Sequence, residues 1–345
     1  MSRPVFAFAL AGLAAGCAIW LVRAAAGVDA YRTLESALTC DLLTDYSGEV
    51  HIREGKKLAA VYDITHVHPD RYYIRFKRPE QSGLIVVRGR GGSAQFACSA
   101  GAPLSVPEMG IGALTALGDL IRANYRLKIL GIDYIAGREA THLRVTSKYG
   151  SPLAREFWVD TRKCLVLCSR ELDRMGVILY EERFNTVDFA PIARGEGGLV
   201  YGADQPGPDN AIPLARRMKP EDLSKELGFA VARPKRMPKG YVLVGTYLAE
   251  CPRGCGAKAA LCRYTDGLSS VSVFQTRHHG TGCDLDGPSA VSVKAGRCLV
   301  IRSGRETMAV VQKSGLHVIA VGDLPANVLS AIADTVPVAE ASAAG

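Results

Sequence analysis

Cysteine and histidine are the residue types in this chain whose chemistry is easiest to use. The 345 residues include ten cysteines, more than a chain this size ordinarily carries in a reducing compartment. Cys251, Cys255 and Cys262 fall in or beside one loop, with His278, His279, Cys283 and Cys298 further on. The spacing is not C-x-x-C, so disulfides that tie down loops are the first reading and zinc the second. A Cys251–Cys262 bridge would close the hairpin between them. The pair His278-His279 reads as a solvated turn, because neighbours on a strand point to opposite faces. Cys164 and Cys168 sit on one expected strand, where ~3.3 Å per residue sets their Cα atoms about 13 Å apart. That exceeds the ~7 Å limit of a disulfide, which leaves Cys40 and Cys98 as their available partners in the first half.

Other catalytic patterns are missing. The sequence has no G-x-S-x-G, no H-E-x-x-H and no P-loop. Gly110-Ile111-Gly112 opens a helix, but Thr115 holds the third glycine position and no strand precedes it. Gly89-Arg90-Gly91-Gly92 reads as a turn. Glu181-Glu182 lie on a strand, face opposite ways and read as surface charge. The expectation is a binding protein and not an enzyme, with no cofactor and no metal. A net charge of +8 favours anionic partners. The excess is spread out, as in Arg75-Phe76-Lys77-Arg78 and Arg233-Pro234-Lys235-Arg236, so nucleic acid is not expected.

The elements that would position these residues begin after a leader. Arg3, an apolar run from Val5 to Val22 and then Arg23-Ala24-Ala25-Ala26 make residues 1–27 a signal peptide. The run also reaches the ~17–25 residues of a spanning helix, so an uncleaved inner-membrane anchor is the alternative. Ala14-Ala15-Gly16-Cys17 lacks the usual leucine of a lipobox, and lipidation is not expected. In either case the rest is exported, which favours disulfides, and loss of Cys17 leaves an odd number of cysteines.

Residues 28–190 form the first expected domain. Helical spacing covers Val28–Leu43, then short Val-, Ile- and Tyr-rich runs follow at 48–53, 58–66, 71–77 and 83–88. A second helix is expected at 111–125, then strands at 127–134, 141–147, 153–159, 163–172 and 177–189. Short sequential connections imply an antiparallel sheet. Gly-, Pro- and Asp-rich residues 191–218 read as a linker. Residues 219–338 form a smaller second domain with a helix at 220–227, strands between 241 and 321 and a closing helix at 325–335, and 339–345 read as a disordered tail.

Particular segments resemble the MucB/RseB family of sigma-E regulators. Tyr46-Ser47-Gly48-Glu49-Val50 with His51-Ile52-Arg53 is similar to the family's opening strand. Phe157-Trp158-Val159-Asp160, Leu165–Ser169 and Glu171-Leu172-Asp173-Arg174-Met175-Gly176 are similar to a stretch shared with the lipoprotein carriers LolA and LolB. Pro238-Lys239-Gly240-Tyr241, then Tyr264-Thr265-Asp266-Gly267-Leu268-Ser269-Ser270 through Phe274, then Val318 through Pro325 resemble the family's C-terminal domain. The resemblance implies an α+β protein. Its N-terminal part would be a curved antiparallel sheet, a LolA-like half-barrel with plugging helices, and a smaller α/β MucB/RseB domain would follow. It implies a cavity for acyl chains, a periplasmic location, and binding to the periplasmic part of a membrane-spanning anti-sigma factor, released by lipid or lipoprotein during envelope stress. The alternative is a LolA-type periplasmic carrier of lipid or lipoprotein. A one-faced curved sheet leaves an apolar concave surface, and Ile64, Tyr72, Ile74, Phe76, Ile85 and Val87 are the candidates to line it. Arg75, Lys77, Arg78, Arg88 and Arg90 are the candidates to meet lipid phosphates or an acidic partner segment.

Overall fold

The computed structural model describes residues 29–40, 43–68, 71–77, 84–88, 95–96, 111–150, 153–190, 216–251, 257–277, 290–293, 296–303 and 306–338. The leader 1–27 therefore lies outside the described residues, as do His278, His279, Cys98, Cys255 and Cys283. Among the described residues no helix is long and apolar enough to cross a membrane.

Helix α1 (Ala30–Thr39) starts where the Asp29 carboxylate accepts from the Tyr31 backbone N–H at 3.0 Å. It is shorter at both ends than the helical spacing over 28–43 suggests. Strands β1 (Tyr46–Glu54), β2 (Lys57–Val67), β3 (Arg71–Phe76), β4 (Leu84–Arg88) and β5 (Gln95–Phe96) follow as a meander. Helix α2 (Ile111–Asn124) leads into a second meander. Its strands are β6 (Tyr125–Ile135), β7 (Arg138–Ser147), β8 (Ala154–Asp160), β9 (Val166–Leu172) and β10 (Ile178–Asp188). Pairing of β1 with β10 joins the two meanders into one open antiparallel sheet, in the order β5-β4-β3-β2-β1-β10-β9-β8-β7-β6. Register shifts on β1, β6, β8 and β10 bend it. Leu34 and Ala37 of α1 pack with Ile121 of α2 against Leu143, Val145 and Val159, so both helices cover the same face.

The strand expected from Lys163 begins only at Val166. The Asp160 carboxylate accepts from the Arg162 and Lys163 backbone N–H at 2.9 and 2.6 Å and makes a turn there, with Cys164 at φ +60°. Cys164 is thus a turn residue. Strand β5 was invisible to pattern reading because two residues show no periodicity.

The second sheet contains β11 (Arg216–Arg217), β12 (Val242–Glu250), β13 (Lys258–Thr265), β14 (Ser270–Arg277), β15 (Ala290–Val293), β16 (Gly296–Ser303), β17 (Glu306–Lys313) and β18 (Leu316–Gly322). Its order is β11-β12-β13-β14-β18-β17-β16-β15, again antiparallel. Helix α3 (Pro220–Leu227) follows β11, with proline in its first turn and Gly228 closing it at φ +68°. Helix α4 (Ala326–Asp334) buries Leu329, Ile332 and Ala333 against Val271, Val273, Val318 and Ala320. Residues 216–217, expected within a linker, instead add a strand to this sheet. Two antiparallel sheets with a few helices make the protein α+β.

Candidate functional site

Cross-strand register settles which residues share the concave face. Ile64 stands opposite Ile74, which stands opposite Ile85; Tyr62 opposite Phe76; Tyr72 opposite Val87. Ile64, Ile74 and Phe76 therefore occupy one face. Ile64, Ile74 and Phe76 pack on a core of Tyr46, Val50, Tyr62, Leu167 and Phe184. For Tyr72, Ile85 and Val87 the description stops at the backbone. Beneath α1 this face holds a cavity of about 190 Å³, walled by Ala37, Val50, Ile64, Leu167 and Phe184. Its polar side chains include Tyr62, Ser169 and Glu182, and the Tyr62 hydroxyl donates to the Glu182 carboxylate. Burial, and then the charge of Glu182, holds that hydroxyl protonated well above its ordinary range.

The paired glutamates correct a sequence reading. They face opposite ways, but neither is ordinary surface charge. Glu182 reaches the cavity, and buried Glu181 pairs with Arg170 on the outer face and stands 3.9 Å from Arg53. The candidate cations are scattered. Lys77 is held by Glu49 at 2.5 Å and Asp63 at 2.9 Å, so its charge is already committed. Arg75 is exposed on β3, Arg88 is placed by backbone alone opposite Arg71, and Arg78 and Arg90 lie outside the described residues.

The cysteines also depart from expectation. Cys164, Cys168 and Cys262 are present as thiols. The Cys251–Cys262 bridge is not formed, because the two pack in separate clusters, Cys262 with Val271 and Val273 and Cys251 with Ala259 and Phe274. Cys40 donates its thiol to the Lys163 carbonyl at 2.9 Å. Cys298 is described only as a β16 backbone position. Burial pushes the Cys168 thiol up to about 12 and the Cys262 thiol up to about 11.

A second polar constellation lies in the seam where the two sheets meet. The Asn124 amide donates to the carbonyls of Gly240 (2.9 Å) and Asp266 (2.8 Å), and the Tyr125 hydroxyl donates to the Asp266 carboxylate at 2.6 Å. Asp266 also accepts from the Leu268 and Ser269 backbone N–H at 3.0 and 2.8 Å, which shapes its loop. Arg155 crosses from β8 to the Leu268 carbonyl and the Ser269 hydroxyl, each at 2.8 Å. It ion-pairs with Glu171 at 3.2 Å and with Asp323. Burial alone would lower the Arg155 pKa, but Asp323 and Glu171 outweigh it and raise it. The two halves touch so closely that a Cβ on Gly267, at φ +104°, would come within 2.9 Å of the Ile121 side chain.

Residues 80–198 match the family model described as the MucB/RseB N-terminal domain. The structure of MucB in complex with MucA(peri) is 20% identical, covering 91% of this chain and 100% of that one at a TM-score of 0.58. The Pseudomonas aeruginosa MucA/MucB complex gives 19% identity, 91% and 100% coverage and a TM-score of 0.59. The chain is MucB/RseB-like. MucB alone matches similarly, at 19% identity, 90% and 98% coverage and a TM-score of 0.56. No curated protein matches the sequence.

In this MucB/RseB-like chain, segments that carried the sequence resemblance converge on the seam. Gly240, Asp266–Ser269, Glu171 and Asp323 all belong to them. Sequence reading noted those segments without finding the role of these residues. It missed Asn124, Tyr125 and Arg155 altogether, whose partners across the seam lie more than a hundred positions away. The available signal was an acidic residue in three of these segments, Glu171, Asp266 and Asp323.

Proposed function

We propose that this chain works in the periplasm as a regulatory binding protein that acts by holding a partner. It holds the periplasmic segment of a membrane-spanning anti-sigma factor and loosens that hold when an acylated lipid or lipoprotein occupies the concave cavity. The carrying observation is the likeness over 91% of the chain to MucB bound to MucA(peri), which spans both sheets and the seam. The cavity supports the lipid limb. At about 190 Å³ it is smaller than the ~300–1,000 Å³ of typical ligand sites, so an acyl chain enters by displacing α1. That displacement costs the burial of Leu34 and Ala37, which a long acyl chain would replace. Besides the apolar contacts of Leu34 and Ala37, α1 is held by the exposed Glu35–Arg122 pair at 2.9 Å and the Tyr31 hydroxyl on the Tyr125 carbonyl at 2.9 Å. An exposed pair contributes ~0–1 kcal/mol, against ~0.8 kcal/mol for each methylene buried. Both tethers reach α2 or its junction with β6, where Asn124 and Tyr125 enter the seam, so a moved α1 pulls on the joint.

The test is native mass spectrometry and pull-down with the chain from Val28 onward. Its bait is the periplasmic segment of a membrane-spanning anti-sigma factor from the same organism, with and without lipid extract. A complex that lipid dissociates supports the proposal. Lipid binding with no complex leaves a carrier of LolA type as the better reading, and binding of neither overturns both limbs.

A further inference from the structure

The turn between β9 and β10 is built to display apolar side chains. The Asp173 carboxylate accepts from the backbone N–H of Met175 and of Val177, both at 2.8 Å. Backbone bonds from Gly176 N–H to the Asp173 carbonyl (3.1 Å) and from Asp173 N–H to the Val177 carbonyl (3.0 Å) close the same turn. Gly176 supplies the φ of +80° that it requires. On this fixed frame Met175 is 86% exposed, Val177 57% and Leu179 43%. Solitary exposed apolar residues are ordinary, but three together on a locked tip are not.

A basic collar surrounds the tip. Gly55 N–H donates to the Leu179 carbonyl at 2.9 Å, which fixes the β1–β2 turn and its exposed Lys56 beside the hairpin. A groove of about 590 Å³ runs from there over the outer face of the sheet, lined by Arg53, Lys56, Arg170, Ile178 and Arg183. Glu181 is the acid in its lining and is already shared by Arg170 and Arg53. Arg174 is exposed on the tip itself. Of the nearby acids Glu54, Glu171 and Asp173, Asp173 is spent on the turn and Glu171 on Arg155.

We propose that the 173–179 hairpin and its collar dock on an anionic phospholipid surface. Met175 and Val177 enter the acyl boundary, and Arg53, Lys56, Arg174 and Arg183 meet headgroup phosphates. The arrangement favours a bilayer over an acidic peptide because the apolar residues project from a tip. A peptide anchor needs a concavity to fill, whereas a projecting apolar tip backed by cations suits an interface that is apolar inside and anionic at its rim. This docking is independent of the cavity and of any protein partner.

The test is co-sedimentation of residues 28–345 with phosphatidylglycerol-containing vesicles and with phosphatidylcholine vesicles. This form lacks the apolar leader, yet retains the Asp29 cap and every apolar cluster of the described residues. Binding is expected only to the anionic vesicles. Each cation near such a surface contributes roughly fivefold, so Lys56→Ala with Arg174→Ala weakens binding about 25-fold. Met175→Asp weakens it at least about tenfold without altering the thermal midpoint, since the side chain is solvent-exposed. Arg236→Ala with Lys239→Ala, an equal charge loss at exposed positions of the second sheet's half, leaves binding within about twofold. Equal losses in both doubles would overturn the proposal in favour of diffuse charge attraction. Absence of vesicle binding overturns it too, and retention of a polyglutamate peptide by the same cations would then reassign the groove.

Discussion

Replacing Arg155 with methionine removes a side chain that reaches three partners across the seam and Glu171 on its own sheet. The guanidinium is buried, bonded to the Leu268 carbonyl and Ser269 hydroxyl, and paired with Glu171 and Asp323. Methionine fills part of the volume but leaves two buried carboxylates without this cation. Removing one partner of a buried ion pair destabilises by ~3–5 kcal/mol, mostly through the charge left behind. For a body of this size roughly 2–4 °C follows each kcal/mol, so the midpoint should fall by about 10 °C. The loss falls on the joint, so scanning calorimetry should show one cooperative transition in the parent chain and two in Arg155→Met. Adding Glu171→Gln and Asp323→Asn removes the stranded charges and should recover more than half of the loss. A shift below about 1 °C in Arg155→Met, or no recovery in the triple variant, would refute the reasoning that the seam is an energetic joint.

Gly267→Ala should destabilise by about 1 kcal/mol through its φ of +104° and by a further ~1–3 kcal/mol through the Ile121 contact. Gly315→Ala, at φ +76° in open space, should show only the first part in urea melts. Tyr62→Phe leaves Glu182 without its hydroxyl donor and should lower stability by ~1–3 kcal/mol in the same assay. Lys77 and then His51 hold Glu49 down at about 2 from its ordinary 4.5. The stability Glu49 contributes is therefore fully present above pH 4.5 and lost as pH falls towards 2, and Glu49→Gln should flatten the stability profile across that window. With thiols pushed up to about 12 and about 11, Cys168 and Cys262 should escape iodoacetamide at pH 8 in the folded chain and react once it is unfolded, as peptide mass spectrometry would show.

The architecture was legible where alternation was long. Leu58–His66 carries enough alternation, and Leu316–Val321 a long enough buried apolar run, to announce strands, and α3 announces itself by Pro220 and Gly228. Pattern reading stopped at β5 and β11, two residues each, and at Cys164, where a side-chain cap on Asp160 replaced a strand start. It also placed Ile64, Ile74 and Phe76 on a common face, because parity survives within a strand and across short turns. The seam was beyond it for a physical reason. A buried arginine and an exposed one are the same letter, and only the fold brings Arg155 to Asp323. Sequence spacing likewise could not supply the geometry of the Cys251–Cys262 pair, whose members pack in different cores.

Titration calorimetry of residues 28–345 with the periplasmic segment of the same organism's membrane-spanning anti-sigma factor, repeated after saturation with an acylated lipid, tests the central claim most directly. The account predicts a one-to-one complex of micromolar affinity or tighter that lipid weakens at least about tenfold, a coupling of ~1.4 kcal/mol between cavity and partner. An affinity that lipid leaves unchanged would contradict the coupling, and no heat of binding in either state would contradict the account at its root.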